Sequence, residues 1–162
     1  ILAHMHEDVA GRQAPLLHAT GAGSTAFAQS VAHLIELGVL ERNPGHGHPL
    51  RPEFRLTAMG KVAASMAHEI HNLPLGAELG LVRKSWTVPI LGALHDAQYF
   101  NEIGAMLPTA TDRALSLSLK SLEQRDWVQR MVDGAARPPR PAYMAVNEGK
   151  EISQIVWDVV AA

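Results

Sequence analysis

The sequence predicts a mainly α-helical protein with small β-hairpin wings, organised as two similar domains in tandem. Two amphipathic helices of similar length, each followed by two short apolar stretches around a loop rich in Gly and Pro, predict this class. The same order of elements occurs twice within 162 residues. A chain of this length accommodates two small domains, each near the lower size at which a single hydrophobic core is sufficient.

The composition is that of a globular protein with an aliphatic core. Hydrophobic residues make up 47% of the chain, charged residues 19% and aromatic residues 5%. The absence of cysteine excludes disulfides, thiolate zinc sites and thiol redox switches. The longest uncharged apolar run spans about ten residues, whereas a membrane-spanning helix requires roughly 20. No secretory signal is visible, so we predict a cytoplasmic protein with no membrane partner, and the missing initial Met predicts further residues upstream of Ile1.

An internal repeat relates the two halves of the chain. The segment "SVAHLIELGVLER" from Ser30 aligns with "SLKSLEQRDWVQR" from Ser118, 88 residues later, with Ser, Leu and Arg in common. The segment "PLRPEFRLTAMGK" from Pro49 aligns with "PPRPAYMAVNEGK" from Pro138, 89 residues later, with five identities in thirteen positions. One inserted residue in the preceding loop explains the change of offset. We therefore predict a duplicated unit.

The boundary between the copies is predicted near Pro74 and Gly76, in a segment that links them. This places an N-terminal winged domain at 1–72 and a C-terminal domain at 73–162.

Each copy contains a helix with one apolar face. Apolar residues recur at helical spacing in 24–37 and again in 112–125. Gly38 marks the end of the first helix, and Thr111 is a suitable N-cap for the second. Both segments predict helices of about four turns.

A hairpin is predicted after each of these helices. In the first copy its strands are Val39–Leu40 and 54–56, and in the second they are Trp127–Val128 and 143–146. Between them lie loops rich in Gly and Pro, which favour tight turns.

The remaining helices complete the pattern. In the second copy, "SWTVPILGALHD" and "YFNEIGAML" predict two helices joined at Ala97, the latter ending before Pro108. A further helix begins near Ala58 in the first copy and near Asn147 in the second. Helix, helix, turn, helix and two-stranded wing is the order of the winged helix-turn-helix.

This order predicts a DNA-binding protein, because one helix fits the major groove and the wing holds the adjacent phosphates. The polar residues on the outer face of the two predicted recognition helices are Ser24, Thr25, Gln29 and His33 in the first copy, and Thr111, Arg113, Ser116 and Lys120 in the second. The wing arginines expected to reach phosphates are Arg51, Arg55, Arg137 and Arg140.

The second copy resembles the HxlR family of bacterial winged-helix transcription regulators, over about residues 73 to 155. The residues that carry the resemblance are Ser85-Trp86-Thr87 with Ile90 and Leu91, Phe100-Asn101-Glu102-Ile103, Leu107-Pro108, Leu115, Leu119, Leu122-Glu123, Arg130, Pro141-Ala142-Tyr143 and Glu148-Gly149-Lys150. The resemblance implies a dimeric repressor or activator that binds DNA. The first copy resembles the family only in its helix and wing.

The chain departs from the family in three ways. Leu73 stands before Pro74 where family members often have a Cys, so thiol sensing is unavailable. The family's domain usually occurs once per chain, whereas two copies here imply a pseudo-dimer in one polypeptide. In "RDWVQR", Asp126 and Trp127 replace a Gly and a smaller apolar residue, which predicts either a strained turn or a Trp recruited to an interface.

The histidines allow a second interpretation. His46 and His48 in "GHGH" are a pair of metal-ligand type without a third ligand nearby, and their glycines favour the tip of a wing. The "HEIH" segment at 68–71 lacks the spacing of a zinc motif and is interpreted as a helix surface, and His4 and His6 receive no role. We therefore predict no metal and no cofactor. No catalytic motif stands out, so no enzyme is predicted.

The predicted function is a transcriptional regulator that reads a pseudopalindromic site in double-stranded DNA with two recognition helices per chain. One alternative is a tandem winged-helix scaffold that binds protein, which the net charge of −2 favours. Another is a regulator in which one copy serves dimerisation or ligand sensing. A homodimer and a small-molecule effector are the further partners, and Trp86, Trp157, Met66 and Met106 line a candidate effector pocket, although core packing explains them more simply.

Overall fold

The computed structural model describes residues 1–48 and 51–161, and the side chains of all these except 44–48 and 51. The chain divides into two compact units, Ile1–Leu73 and Pro74–Ala162. It is mainly helical with small antiparallel hairpins, which confirms the predicted fold class. No helix in the described ranges is long and apolar enough to cross a membrane.

The first unit consists of helices and one hairpin. In chain order its elements are α1 (Leu2–His6), α2 (Gln13–Thr20), α3 (Ser24–Glu36), β1 (Leu40–His48), β2 (Arg51–Leu56) and α4 (Ala58–His71). Phe27 and Val31 lie one turn apart on α3 and point into the core. Leu16 of α2 and Phe54 of β2 complete this cluster of buried side chains. α1 packs against α4.

The second unit has a similar order of elements, with one additional helix and a third strand. After a 3₁₀ turn (Gly76–Glu78) its elements are α5 (Leu79–Val82), α6 (Thr87–Ala93), β3 (Gln98–Tyr99), α7 (Phe100–Met106), α8 (Asp112–Glu123), β4 (Val128–Asp133), β5 (Arg140–Ala145) and α9 (Glu148–Val160). The antiparallel sheet has the order β3-β5-β4. Its buried side chains include Ile90, Leu91, Ile103, Leu115, Leu119, Leu122, Trp127 and Ile152.

Two elements differ from the sequence predictions. The helices expected to join at Ala97 are separated by β3, because Gln98 and Tyr99 pair with β5. The first strand is longer than expected and continues to His48, which pairs with Arg51, so the "GHGH" backbone belongs to the end of β1. The metal-ligand interpretation of His46 and His48 concerns side chains that lie outside the described residues.

The turns that follow α3 and α8 have the same geometry. Gly38 and Asp126 have φ angles of 68° and 55°, the left-handed conformation in which many helices end. The N–H of the next residue, Val39 or Trp127, then donates to the carbonyl five residues earlier, at 2.9 and 3.0 Å. Trp127 is buried in the core of its own unit and so does not serve an interface. Asp126 adopts the conformation that Gly favours, as the sequence suggested.

The helix that follows each hairpin approaches this turn closely. A Cβ atom added at Gly60 would lie 2.0 Å from the carbonyl oxygen of Val39, and one added at Gly149 would lie 2.1 Å from that of Trp127. Both glycines are therefore required by backbone contact. They are separated by 89 residues, the offset found for the second half of the sequence repeat.

Replacing Gly149 with Ala is expected to lower the free energy of unfolding by about 1–3 kcal/mol, because overpacking against a carbonyl cannot be relieved by a side-chain rotation. Gly104→Ala is the matched control within α7, where an added Cβ would meet only a Leu115 methyl group at 3.9 Å. Urea unfolding followed by circular dichroism measures both variants. Wild-type stability of Gly149→Ala would contradict the close approach.

Candidate nucleic-acid interface

A tight turn presents α8 to solvent in the second unit. The N–H of Ala110 donates to the carbonyl of Leu107 at 2.9 Å, which closes the turn after α7. Thr111 is the N-cap of α8, and its hydroxyl accepts the N–H of Ala114 at 3.2 Å. The predicted cap is therefore present. Part of the hydrogen-bonding capacity of the Thr111 hydroxyl is used within the helix.

The two faces of α8 have opposite character. Its leucines at 115, 119 and 122 are buried, whereas Arg113, Ser116 and Lys120 are exposed. These three residues are three, four and seven positions apart and so share one face of the helix. Arg113 and Lys120 form no ion pair within the part of the chain that the structure describes. Both cations are available to an anionic partner.

Leu117 lies in the middle of this polar face. It is 59% exposed and stands four residues after Arg113 and three before Lys120. The sequence prediction did not include Leu117, because it rested on the leucines whose helical spacing defines the apolar face. The available signal was that Leu117 falls two positions from both Leu115 and Leu119, on the opposite side of the helix from the core.

The wing of the second unit is fastened to β3 through Tyr99. The Tyr99 hydroxyl donates a hydrogen bond to the Asp133 carboxylate at the end of β4. Asp133 Oδ1 also accepts the N–H groups of Ala135 at 2.9 Å and Ala136 at 3.3 Å, which orders the wing turn. The guanidinium of Arg140 lies 3.6 Å from the centroid of the Tyr99 ring, a cation–π contact.

These contacts shift two pKa values in opposite directions. The hydrogen bond to Asp133 raises the pKa of Tyr99, because it favours the protonated hydroxyl beside a carboxylate. The same hydrogen bond, and next the N–H of Ala135, lower the pKa of Asp133 by stabilising its charged form. Asp133 therefore remains a carboxylate in the wing near neutral pH.

The predicted wing arginines of the second unit occupy different environments. Arg137 is exposed in the loop between β4 and β5. Arg140 is also exposed, but its guanidinium is already placed on Tyr99. Arg137 has no ion pair among the described residues.

The predicted site residues of the first unit are exposed but weakly charged. Ser24, Thr25, Gln29 and His33 all lie on the surface of α3. Thr25, Gln29 and His33 share one face because they are four residues apart, and Ser24 is the first residue of the helix. His33 Nδ1 lies 3.8 Å from Glu36 Oε2.

Of the two arginines predicted to bind phosphate from the first hairpin, one is paired with a carboxylate of the same hairpin. Arg55 Nε lies 2.6 Å from Glu41 Oε1, so its charge is offset within the hairpin. The side chain of Arg51 lies outside the described residues.

Histidines of α1 and α4 lie together in the first unit. The His4 ring is 5.5 Å from that of His71, and the His6 ring is 4.7 Å from that of His68. The Glu7 carboxylate lies 3.3 Å from Nδ1 of both His4 and His68. The sequence could not reveal this cluster, because it depends on the packing of α1 on α4. Among the side chains that the structure describes, which exclude those of 44–48 and 51, no group of three or more His, Asp or Glu could hold a metal ion.

The second unit has the architecture of a winged helix-turn-helix, with a capped helix exposed in front of a hairpin. Residues 81–161, half of the chain, match the HxlR-like helix-turn-helix family, and the chain belongs to this family. This confirms the resemblance found in the sequence. Membership identifies the chain, at the level of class, as a DNA-binding transcription regulator.

Several solved structures are similar to part of the chain, whereas no curated protein matches it. Diamide-treated YodB from B. subtilis is 24% identical, with 55% of this chain and 88% of that chain covered and a TM-score of 0.46. The oxidised redox regulator HypR is 26% identical, with 54% and 91% covered and a TM-score of 0.45. The reduced form of MarR from E. coli is 16% identical, with 66% and 79% covered and a TM-score of 0.43.

Removing the Tyr99 hydroxyl is expected to raise the pKa of Asp133 toward its ordinary value of 3.8. The pKa should stay somewhat low because the N–H groups of Ala135 and Ala136 remain. Since the folded-state pKa is depressed, the contact stabilises the unit above the ordinary pKa, and this contribution is lost as the pH falls through the folded-state value. Carboxyl-carbon NMR titration of Tyr99→Phe measures the shift.

Tyr143→Phe is the control for this measurement, since it removes the chain's other tyrosine hydroxyl. It should leave the pKa of Asp133 unchanged. If Tyr99→Phe also left that pKa unchanged, the proposed cause would be wrong.

Proposed function

We propose that this regulator reads a pseudopalindromic DNA site with two recognition helices per chain, α8 and α3. The observation that carries the proposal is the exposed face of α8, which lies in front of a wing and carries Arg113, Ser116 and Lys120. Neither cation of this face forms an ion pair with any described residue. Hydroxyls and cations are groups that base edges and phosphates accept from. α3 occupies the same place in the first unit.

Support for two related units comes from matching backbone contacts. Gly38 and Asp126, both left-handed, are separated by 88 residues, as are Val39 and Trp127. In the first unit, Arg12 forms an isolated antiparallel bridge with Glu53 of β2. This bridge corresponds to the pairing of β3 with β5 in the second unit. Matching contacts at the offsets of the sequence repeat favour a duplicated winged-helix domain.

The wings supply the proposed phosphate contacts. Arg137 and Arg140 are exposed at the second wing. Arg51 and Arg55 are the arginines proposed for the first wing, and Arg51 corresponds to Arg140 at the repeat offset of 89 residues. Arg55 would have to exchange its partner Glu41 for a phosphate, which weakens its expected contribution.

A second candidate is a regulator in which the second unit alone binds DNA and the first serves dimerisation, ligand sensing or protein binding. The difference between the two helices favours it. The outer face of α8 carries Arg113 and Lys120, whereas the predicted site residues of α3 include no Lys or Arg. The net charge of −2 adds little general attraction to DNA.

Removing a cation from α8 is expected to weaken DNA binding. For a duplex selected from a random pool by the wild-type chain, Arg113→Ala and Lys120→Ala should each raise Kd by about tenfold or more. A lost phosphate contact should also make the slope of log affinity against log salt shallower by about 0.9. Fluorescence anisotropy at several salt concentrations measures both effects.

Arg83→Ala is the control, because it removes an exposed cation that lies on neither α8 nor a wing. Equal weakening by Arg83→Ala would point to bulk charge, and failure to select any duplex would refute the proposal. The double variant Thr25→Ala, Gln29→Ala separates the two candidates. Weaker binding supports two recognition helices, and unchanged binding supports the second unit alone.

Leu117 is expected to contribute to sequence preference. An exposed apolar side chain between two cations suits contact with a thymine methyl group in the major groove. Leu117→Ala should therefore lower affinity for the selected duplex by about five- to tenfold while leaving the salt slope unchanged. Replacing each thymine of the duplex in turn by uracil removes its methyl group and tests the contact. At the contacted position, this replacement should weaken binding of the wild-type chain and leave binding of Leu117→Ala unchanged. An equal loss of affinity at every thymine would contradict the contact.

A further inference from the structure

A cavity of about 440 Å³ opens in the first unit between α3, the start of α2 and the hairpin. Phe27, Val31 and Ile35 of α3 form one wall, and Phe54 and Pro52 of β2 form another. The volume falls within the range of about 300–1,000 Å³ that small-molecule sites occupy. A compact apolar ligand could therefore fill it.

Arg42 brings a positive charge to this apolar cavity. It pairs with Phe54 across the hairpin, and directly opposed residues of an antiparallel pair place their side chains on the same face. The neighbouring pair Glu41 and Arg55 points to the other face, where the two charges offset each other.

Among the described side chains, no carboxylate is paired with Arg42. Arg42 forms no ion pair with them, and none of the residues that line the cavity is acidic. Gln13 adds an amide to the same lining. The cavity thus combines an apolar interior with donors suited to one carboxylate.

We infer that this cavity binds a small aromatic carboxylate. Its ring lies among Phe27, Val31 and Phe54, and its carboxylate accepts hydrogen bonds from the Arg42 guanidinium. The two phenylalanine rings of the lining favour an aromatic body, and the guanidinium of Arg42 favours a ligand with one negative charge. The inference concerns ligand binding alone, so it stands whether or not α3 contacts DNA.

The experiment uses 2-naphthoate as the probe and the full chain without DNA. Naphthoate is expected to bind with a Kd of about 1 mM or tighter. Its ring current should shift the NMR methyl signals of Val31 and Ile35 and leave those of Ile152, buried in the second unit, unchanged. 2-Naphthamide, which has the same shape without the charge, should bind at least tenfold more weakly.

Arg42→Gln is expected to weaken naphthoate binding by about tenfold or more, the usual effect of removing a charge-assisted hydrogen bond. Arg55→Gln is the matched control on the opposite face of the same hairpin, and it should leave the affinity within about twofold. Circular dichroism verifies that both variants are folded. Absence of binding, methyl shifts confined to other residues, or equal weakening by the two variants would overturn the inference.

Discussion

In each unit one backbone carbonyl fixes the positions of three consecutive elements relative to one another. In the second unit the Trp127 oxygen accepts the N–H of Val146 at 2.9 Å, and Gly149 lies against the same oxygen. The end of α8, the return of the hairpin and the start of α9 therefore meet at one atom. Val39 has this position in the first unit. A side chain at either glycine would separate elements whose relative placement sets the exposed helix against its wing.

The sequence was most informative where local patterns decide the structure. The helices predicted over 24–37 and 112–125 appear as Ser24–Glu36 and Asp112–Glu123, because their apolar residues repeat at helical spacing. β3 was missed because two residues carry no periodicity and depend on pairing with β5. The cluster of histidines also needed tertiary structure, because it depends on the packing of α1 against α4. The outward position of Leu117 follows from helical spacing alone, because Leu117 falls two positions from Leu115 and Leu119.

The two units share backbone constraints but differ in surface chemistry. The positions fixed by the left-handed turn and the close glycine contact match at offsets of 88 and 89 residues. The exposed residues of α3 and α8 do not match in this way, since Arg113 and Lys120 correspond, 88 residues earlier, to Thr25 and Ala32. Close packing limits which residues can occupy a backbone position, whereas an exposed position accepts many residue types. The first unit accordingly differs from the second in its exposed residues while it keeps the same turn and the same close glycine contact.

The stacking of Arg140 on Tyr99 also has an entropic consequence. A free arginine loses up to about 2 kcal/mol of rotamer freedom when it is immobilised. Arg140 has already given up part of that freedom in the folded chain, because its guanidinium rests 3.6 Å from the ring centroid. Arg137 keeps its freedom in the exposed loop. Of two arginines in one wing, the one restrained beforehand has less conformational entropy left to lose in any complex it joins.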